Sequence, residues 1–148
     1  MSYHCLYYHI VFSTKERCPW LNGERLTECC RYMGGIVRDL KGTLLDANGA
    51  ADHLHLVAAV HPTVAVSAFL QEVKGGSSKW IHETFDDLRG FWWQEGYAAF
   101  TVSKSALPDV LKYVRNQKEH HRKISFQEEL IALLDRHGVE YDPQYILR

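Results

Sequence analysis

The sequence predicts an α+β fold of the ferredoxin-like type, in which a βαββαβ chain forms an antiparallel sheet with helices on one face. Two patterns lead to this fold class. Segments in which apolar and polar residues alternate, typical of strands, and segments with helical spacing occur along the chain in the βαββαβ order. The turn-rich segment DANG, at residues 46–49, separates two short apolar runs as in a β-hairpin. The length of 148 residues fits about one domain.

The first half of the chain supplies a strand, a helix and the hairpin. Residues 3–13 alternate, so that Tyr8, Ile10 and Phe12 share one face while Tyr7, His9 and Val11 share the other. Apolar residues with helical spacing predict a helix over 21–40, and Gly42 follows its end. The two strands of the hairpin lie within residues 42–60.

The second half supplies a helix, a strand and two more helices. A helix is predicted from about residue 64 to 85, a strand over 97–102, and a helix over 103–123 with Pro108 in its first turn. A last helix near residues 127–137 forms a C-terminal helical extension. We therefore expect one domain over 1–123, with residues 124–148 as an extension of that same domain.

Composition and charge restrict the classes of function. The net charge of −1 does not favour a generally basic nucleic-acid binder. Residues 101–123 nevertheless carry six basic against two acidic side chains, whereas residues 124–148 are acidic, which argues against direct DNA contact by the extension. The four cysteines form no C-x-x-C pair, and no apolar run reaches the roughly 18 residues of a membrane span. A reduced, cytoplasmic protein is expected.

The segment DHLHLV, at residues 52–57, carries two histidines one residue apart. In a strand, His53 and His55 project from the same face, with Leu54 turned to the core. Two imidazoles can hold one divalent cation if other ligands join them. Taken alone, the pair more often represents two polar residues satisfied by hydrogen bonds. A third histidine at position 57 would indicate a nucleotide-hydrolysing triad, but that position is Val57.

The basic helix carries a second constellation, Tyr113 and Gln117, which are four residues apart and share one helix face. A glutamine oxygen suits a hard cation such as Mg²⁺ or Mn²⁺. A tyrosine next to such a metal can attack phosphorus as a nucleophile. The alternative is an ordinary amphipathic helix whose tyrosine packs on the sheet. His120 and His121, one turn further on, are expected at the surface or near phosphate rather than as ligands.

Five segments in the same order resemble the single-tyrosine HUH transposases of the insertion-sequence 200/605 group. They are YHIVFSTKER at 8–17, DHLHLV at 52–57, LQEVKGGSSKWI at 70–81, WWQEGYAAFTVS at 92–103 and YVRNQ at 113–117. The resemblance implies a DNA transposase that cleaves and rejoins single-stranded DNA at hairpin-bearing ends. The strand is cut through a 5′-phosphotyrosine intermediate, and a 3′-hydroxyl is left free.

The resemblance also implies roles for individual residues. Tyr113 would be the nucleophile, and His53, His55 and Gln117 would bind the metal ion, Mg²⁺ or Mn²⁺. The enzyme would work as a homodimer joined through the first strand, without a membrane, in the cytoplasm and at the nucleoid during action.

DNA contacts follow from side-chain chemistry. Cationic and hydroxyl donors stand beside the first strand, around a Gly75-Gly76 pair and beside the nucleophile. The candidate DNA-binding residues are Lys15, Arg17, Lys74, Ser77, Ser78, Lys79, Arg115 and Asn116. Trp92 and Trp93 fit either stacking on unpaired bases or core packing.

Three alternatives stay open at the level of sequence. The first is a host-adopted relative that processes repetitive palindromes. The second is a non-catalytic ferredoxin-like RNA-binding module. The third is a zinc hydrolase built on the histidine pair, which needs a further ligand that the sequence does not identify.

Overall fold

The computed structural model describes residues 1–146, and its centre is a four-stranded antiparallel sheet. The strands are β1 (Tyr7–Ser13), β2 (Thr43–Ala50), β3 (His53–Ala59) and β4 (Ala98–Val102), in the spatial order β2-β3-β1-β4. Helix α1 (Glu24–Asp39) connects β1 to β2, and helix α2 (Val66–Thr84) connects β3 to β4. This is the predicted ferredoxin-like α+β arrangement.

The first face of the sheet holds the larger hydrophobic core. Ile10, Phe12 and Leu54 are completely buried there against α1 and α2. The main core side chains from the two helices are Cys29, Met33, Val37, Phe69, Leu70, Val73 and Ile81. Helices of the βαββαβ unit therefore cover one face, as the alternation in the sequence predicts.

Three further helices cover the second face. They are α3 (Leu107–Arg115), α4 (Gln117–His120) and α5 (Phe126–Arg136). Val57 and Val102 pack against α3, and Val11 and Phe100 pack against α5. In the described residues, the sheet therefore has helices on both faces, because the added helices take the side that α1 and α2 leave uncovered.

The helix predicted over 103–123 is shorter and interrupted. It begins at Leu107 and breaks at Asn116, whose backbone (φ −98°, ψ 22°) is not helical. The amide of Asn48, on β2, donates to the carbonyl oxygens of Val114 and Arg115 at 3.1 and 3.2 Å. Carbonyls at the end of α3 are thus satisfied by a neighbouring strand rather than by a following helical turn.

The turn of the β2–β3 hairpin lies later than predicted. Strand β2 runs through Asn48 and Gly49 to Ala50, and the turn is formed by Ala51 and Asp52. Gly49 is needed for close approach, since a Cβ atom built there would overlap the carbonyl oxygen of His53. The segment DANG is therefore strand, although its composition is typical of a turn.

Strand β1 is an interior strand, which corrects the predicted dimer contact. It pairs with β3 along Tyr7–Ser13 and with β4 from Tyr7 to Val11. Both hydrogen-bonding edges are occupied over most of the strand, so a partner chain cannot extend the sheet there. Within residues 1–146, no helix is long and apolar enough to cross a membrane.

Candidate active site

The two histidines of β3 lie on the second sheet face, at the end of the sheet where β3 begins. His53 and His55 are completely buried, and their ring centroids are 5.3 Å apart. Leu54 and Leu56 point into the opposite core, as the strand periodicity predicts. The register places Val11 of β1 opposite His55 and Ser13 opposite His53. The sheet therefore fixes both imidazoles beneath the added helices.

Glu129, on α5, brings a carboxylate into contact with these histidines. Its Oε1 lies 2.8 Å from Nε2 of His55, 3.1 Å from Nε2 of His121 and 3.6 Å from Nε2 of His53. Only 1% of Glu129 is exposed. One ligand atom from each of these four residues lies within 4.8 Å of the other three. Their donor chemistry fits one divalent cation.

The second oxygen of the same carboxylate faces the tyrosine. The hydroxyl of Tyr113 donates a hydrogen bond to Oε2 of Glu129. Nε2 of His120 lies 3.1 Å from this oxygen, and the amide nitrogen of Gln117 lies 3.3 Å from it. The Tyr113 ring is 5.8 Å from the His55 ring, centroid to centroid. The tyrosine and the two β3 histidines therefore contact the same carboxylate.

Gln117 reaches the site in spite of the break between α3 and α4. It is completely buried, and its Oε1 lies 3.4 Å from Nε2 of His53. Its amide nitrogen also lies 3.4 Å from the carbonyl oxygen of Tyr113. These separations are long for hydrogen bonds. The structure thus brings together His53, His55, Tyr113 and Gln117, the four residues that the sequence singles out for catalysis and metal binding.

The far nitrogen of each clustered imidazole has its own partner. Nδ1 of His53 lies 2.8 Å from the Asp52 carboxylate, and Nδ1 of His55 lies 2.8 Å from Nε2 of His9. Nδ1 of His121 lies 3.1 Å from the carbonyl oxygen of Ile124. Asp52 therefore orients His53 from behind, on the ring nitrogen that faces away from Glu129.

Burial and hydrogen bonding shift the pKa values of the site. Burial alone would raise the pKa of Glu129, but hydrogen bonds with His121 and His55 outweigh it and hold that pKa well below its usual value. Burial, followed by contact with His55, lowers the pKa of His9 to about 3. Burial and the bond to Glu129 raise the pKa of Tyr113. The resting site thus contains a carboxylate and a neutral phenol.

Sequence reasoning missed Glu129 and misplaced His121. The side chain of His121 is only 12% exposed and faces Glu129, whereas the sequence predicted a position at the surface or near phosphate. A signal for Glu129 does exist in the sequence. Glu129 lies on the apolar stripe of α5 with Phe126, Leu130 and Leu133. Burial of a carboxylate there destabilises the fold unless the carboxylate has hydrogen-bond or charged partners.

Several of the predicted DNA-binding residues gather at a separate groove of about 470 Å³ on α2. Lys74, Ser78 and Lys79 line it together with Trp92, which is 58% exposed. The backbone nitrogen of Lys15 donates to the carbonyl oxygen of Trp92 at 2.8 Å, which joins the end of β1 to this groove. Arg17 follows in the same 3₁₀ turn, Lys15–Arg17.

Other predicted DNA contacts have structural partners. Ser77 is completely buried and accepts a hydrogen bond from Trp93 at 3.0 Å, so its hydroxyl is not available to DNA and that prediction is corrected. Nζ of Lys74 donates to two backbone carbonyls of the loop before β4, both at 2.7 Å. Arg115 pairs with Asp46 at 2.6 Å. Asn116 is exposed at the helix break.

Comparison with known proteins identifies the family. The family model described as "Transposase IS200 like" matches residues 2–117. The chain belongs to the IS200-like transposases. A transposase of insertion sequence element IS200 from Salmonella typhimurium is 34% identical over 125 residues, which cover 78% of each chain. Membership makes the protein an enzyme of DNA cleavage and transfer.

Two solved structures share the fold of this IS200-like transposase. One is described as a transposase from Deinococcus radiodurans R1; it has 24% identity and a TM-score of 0.65, and the match covers 79% of this chain and 95% of the other. The second, at 14% identity and a TM-score of 0.61, is a REP-associated tyrosine transposase bound to a REP hairpin, with coverage of 82% and 74%. At these identities, both comparisons support the fold alone.

Proposed function

We propose that this IS200-like transposase cleaves and rejoins single-stranded DNA at hairpin-bearing element ends through a phosphotyrosine on Tyr113. One observation carries the proposal: the hydroxyl of Tyr113 and the imidazole of His55 contact the same buried carboxylate within one chain. A nucleophile beside a candidate metal site is the arrangement that phosphoryl transfer requires.

The chemistry assigns a role to each group. The Tyr113 oxygen attacks phosphorus, the bond from phosphorus to the 3′ oxygen breaks, and the DNA keeps a 5′-phosphotyrosine and a free 3′-hydroxyl. A second 3′-hydroxyl then attacks that phosphotyrosine, so the bond energy is conserved. A divalent ion, Mg²⁺ or Mn²⁺ from the sequence prediction, would polarise the phosphoryl oxygen. His53 and His55 would hold it, with Gln117 as the third ligand.

The tyrosine acts in cis in this proposal. Tyr113, both β3 histidines and Glu129 belong to the same chain and already lie in contact. A second protomer is therefore not needed to complete the site. The predicted homodimer stays a prediction, and it would join through a surface other than the paired edges of β1.

The groove on α2 is the proposed path of the DNA. Lys79 and Ser78 offer a cation and a hydroxyl to phosphate, and Trp92 offers an exposed ring on which an unpaired base can stack. Lys15 and Arg17 follow β1 at the end where Ser13 pairs with His53, and the backbone of Lys15 bonds Trp92 of this groove.

The rival functions differ in what they require. Sheet-based RNA-binding modules stack bases on exposed aromatic side chains of an open sheet face. Here, α1 and α2 cover one face and α3 and α5 cover the other, which disfavours that reading. A host-adopted relative would share the chemistry of a transposase. Flanking DNA distinguishes the two, because a mobile copy lies between its own hairpin ends.

The tyrosine assignment is tested by incubating the protein with single-stranded element ends and Mg²⁺ or Mn²⁺. We expect wild-type protein to release a shorter strand and to form a covalent adduct that survives denaturing electrophoresis. Tyr113→Phe should abolish both products, because it removes only the attacking oxygen.

A matched control is Tyr32→Phe, which alters a partly exposed tyrosine on α1 at the opposite face of the sheet. It should cleave as wild type does. Cleavage with adduct formation by Tyr113→Phe would show that another group is the nucleophile.

A further inference from the structure

We infer that the cavity bounded by β4, α3 and α5 holds a nucleotide next to the cleavage site of the DNA strand, and that Arg136 contacts the phosphate of this nucleotide. The inference rests on the proposed function and extends its DNA path beyond the groove on α2. It departs from the expectation that the acidic extension makes no direct DNA contact, because Arg136 lies at the end of α5, after the residues that the family model matches.

The cavity begins at the proposed nucleophile. Its volume is about 660 Å³, within the roughly 300–1,000 Å³ of sites for small ligands. Tyr113 forms part of its wall, and so does His9, whose ring centroid lies 6.0 Å from that of Tyr113. A strand whose phosphate reaches the Tyr113 hydroxyl therefore has one of its flanking nucleotides at this cavity.

Helix α5 carries Arg136 on the same side as Glu129. The two residues are seven positions apart, so they share one helix face and lie about 10 Å apart along the axis. Helical side chains lean towards the N-terminal turn, which directs the guanidinium towards Glu129 and Tyr113. Burial and the bond to Glu129 raise the pKa of Tyr113, and the positive charge of Arg136 opposes them. Arg136 therefore lies near DNA that is bound at Tyr113.

Arg136 is an exposed cation without an ion-pair partner among residues 1–146. The arginine ion pairs in this part of the chain belong to Arg25, Arg89, Arg115 and Arg122. A guanidinium stays charged at physiological pH and offers paired donors to phosphate oxygens. Because no carboxylate of residues 1–146 engages it, Arg136 is available to bind a phosphate in the cavity.

The rest of the lining fits the neutral part of a nucleotide. Val102, Val110 and Leu133 supply apolar surface against which a base or a sugar can pack. Asp109, in the first turn of α3, also lines the cavity; it repels a phosphate and can accept from the exocyclic amino group of a base. The cavity thus binds an anion at its Arg136 end only, which matches a nucleotide better than a free inorganic anion.

The phosphate contact is tested by measuring how binding of the uncleaved strand depends on salt. Full-length protein with a chelator is titrated with a labelled single-stranded element end by fluorescence anisotropy at several NaCl concentrations. Each phosphate contact to a single strand contributes about 0.7 to the slope of log affinity against log salt. We expect Arg136→Ala to reduce this slope by about 0.7 and to weaken binding about tenfold at low salt. Arg136→Lys, which keeps the charge, should retain most of the slope.

Arg122→Ala is the matched control. Arg122 is also exposed and lies near the C-terminal extension, but it pairs with Glu119 and does not line the cavity. Its replacement should leave the slope as in the wild type. Thermal unfolding of each variant checks the fold. An unchanged slope in Arg136→Ala, or an equal decrease in Arg122→Ala, would overturn the phosphate contact.

The cavity itself is tested with strands that lack one base. Mapping the cut made by the wild type gives the nucleotide on each side of it, and an abasic site is placed at each of these positions in turn. We expect one of the two abasic strands to bind the wild type several-fold more weakly than the intact strand, which identifies the nucleotide in the cavity. Val110→Phe, which fills part of the cavity, should remove this difference. Equal binding of all three strands to the wild type, or an undiminished difference in Val110→Phe, would contradict the inference.

The outcomes separate this inference from the proposed function. Loss of cleavage in Tyr113→Phe with an unchanged slope in Arg136→Ala would leave the tyrosine chemistry standing and overturn the phosphate contact. Cleavage by Tyr113→Phe with a reduced slope in Arg136→Ala would overturn the tyrosine assignment and support the contact, because binding in the presence of a chelator does not depend on the chemical step.

Discussion

His9 and His55 form a buried pair in which protonation of His9 to the charged form is disfavoured. Their facing nitrogens are 2.8 Å apart and their rings are stacked, with centroids 5.1 Å apart. Burial and this contact hold the pKa of His9 near 3, against about 6.5 in an unfolded chain. Folding therefore favours the neutral form of His9, and its contribution to stability is present above pH 6.5 and lost as the pH falls towards 3.

The pair predicts a specific response to acid. Between pH 7 and pH 5, His9 should reduce the free energy of unfolding by about 2 kcal/mol, because each pH unit below the unfolded pKa costs about 1.4 kcal/mol. His9→Gln, which can still hydrogen-bond His55, should show a correspondingly shallower decline. Urea unfolding with a chelator at several pH values measures both curves; parallel curves would contradict the assignment to His9.

Individual residues also show which parts of the site can be predicted from the sequence. His53, His55, Tyr113 and Gln117 could be selected because strand and helix periodicity place each pair on one face. Glu129 could not, because its role depends on how α5 packs on the sheet, 74 positions after His55. Local periodicity shows that Glu129 lies on a buried stripe, but it does not show which buried partners it meets.

At the scale of elements, tertiary packing rather than local composition determines where the turn of the β2–β3 hairpin lies. Asn48 and Gly49 favour a turn, yet both lie within β2. Asn48 is used to satisfy the carbonyls at the end of α3, and Gly49 permits the close approach of β3. The requirement that produces these residue types is tertiary, so it is not visible in a short window of sequence.

Gly49 lies against neighbouring backbone and Gly75 has open space around it, so alanine substitutions at the two positions should have opposite effects on stability. Gly49→Ala should lower the free energy of unfolding by roughly 1–3 kcal/mol, because its methyl group overlaps the backbone of His53. Gly75→Ala should raise it by about 0.5–1 kcal/mol, because Gly75 lies inside α2 with open space around its Cα. Chemical unfolding measures both; equal effects of the two variants would contradict the packing argument.

At the scale of the whole molecule, the two sheet faces have different tasks. The face under α1 and α2 is apolar and holds the larger core. The face under the added helices contains His9, His53 and His55. The order of elements and this division of β1 and β3 were predictable from the alternation of side chains. The coverage of the second face was not, because the sequence does not say where helices beyond the βαββαβ unit pack.

The groove on α2 leads to a prediction about the surface of the molecule. Trp92→Ala should weaken binding of single-stranded DNA by about 1–3 kcal/mol, the usual effect of losing one stacked base, whereas Trp92→Phe should retain most of the affinity. Fluorescence anisotropy with a labelled oligonucleotide at fixed salt measures the change. Tyr3→Ala, at another exposed aromatic residue, is the control; equal losses in Tyr3→Ala and Trp92→Ala would argue against a dedicated groove.

The position of Glu129 on α5 has a consequence for divergence among related chains. The matched family region contains the β3 histidines, the tyrosine and Gln117, whereas His121 and Glu129 follow it. Substitutions after residue 117 can therefore change the surroundings of the histidine pair while leaving the sheet and the tyrosine intact. Two chains with nearly the same matched region would then differ in the carboxylate and imidazole that enclose the histidine pair.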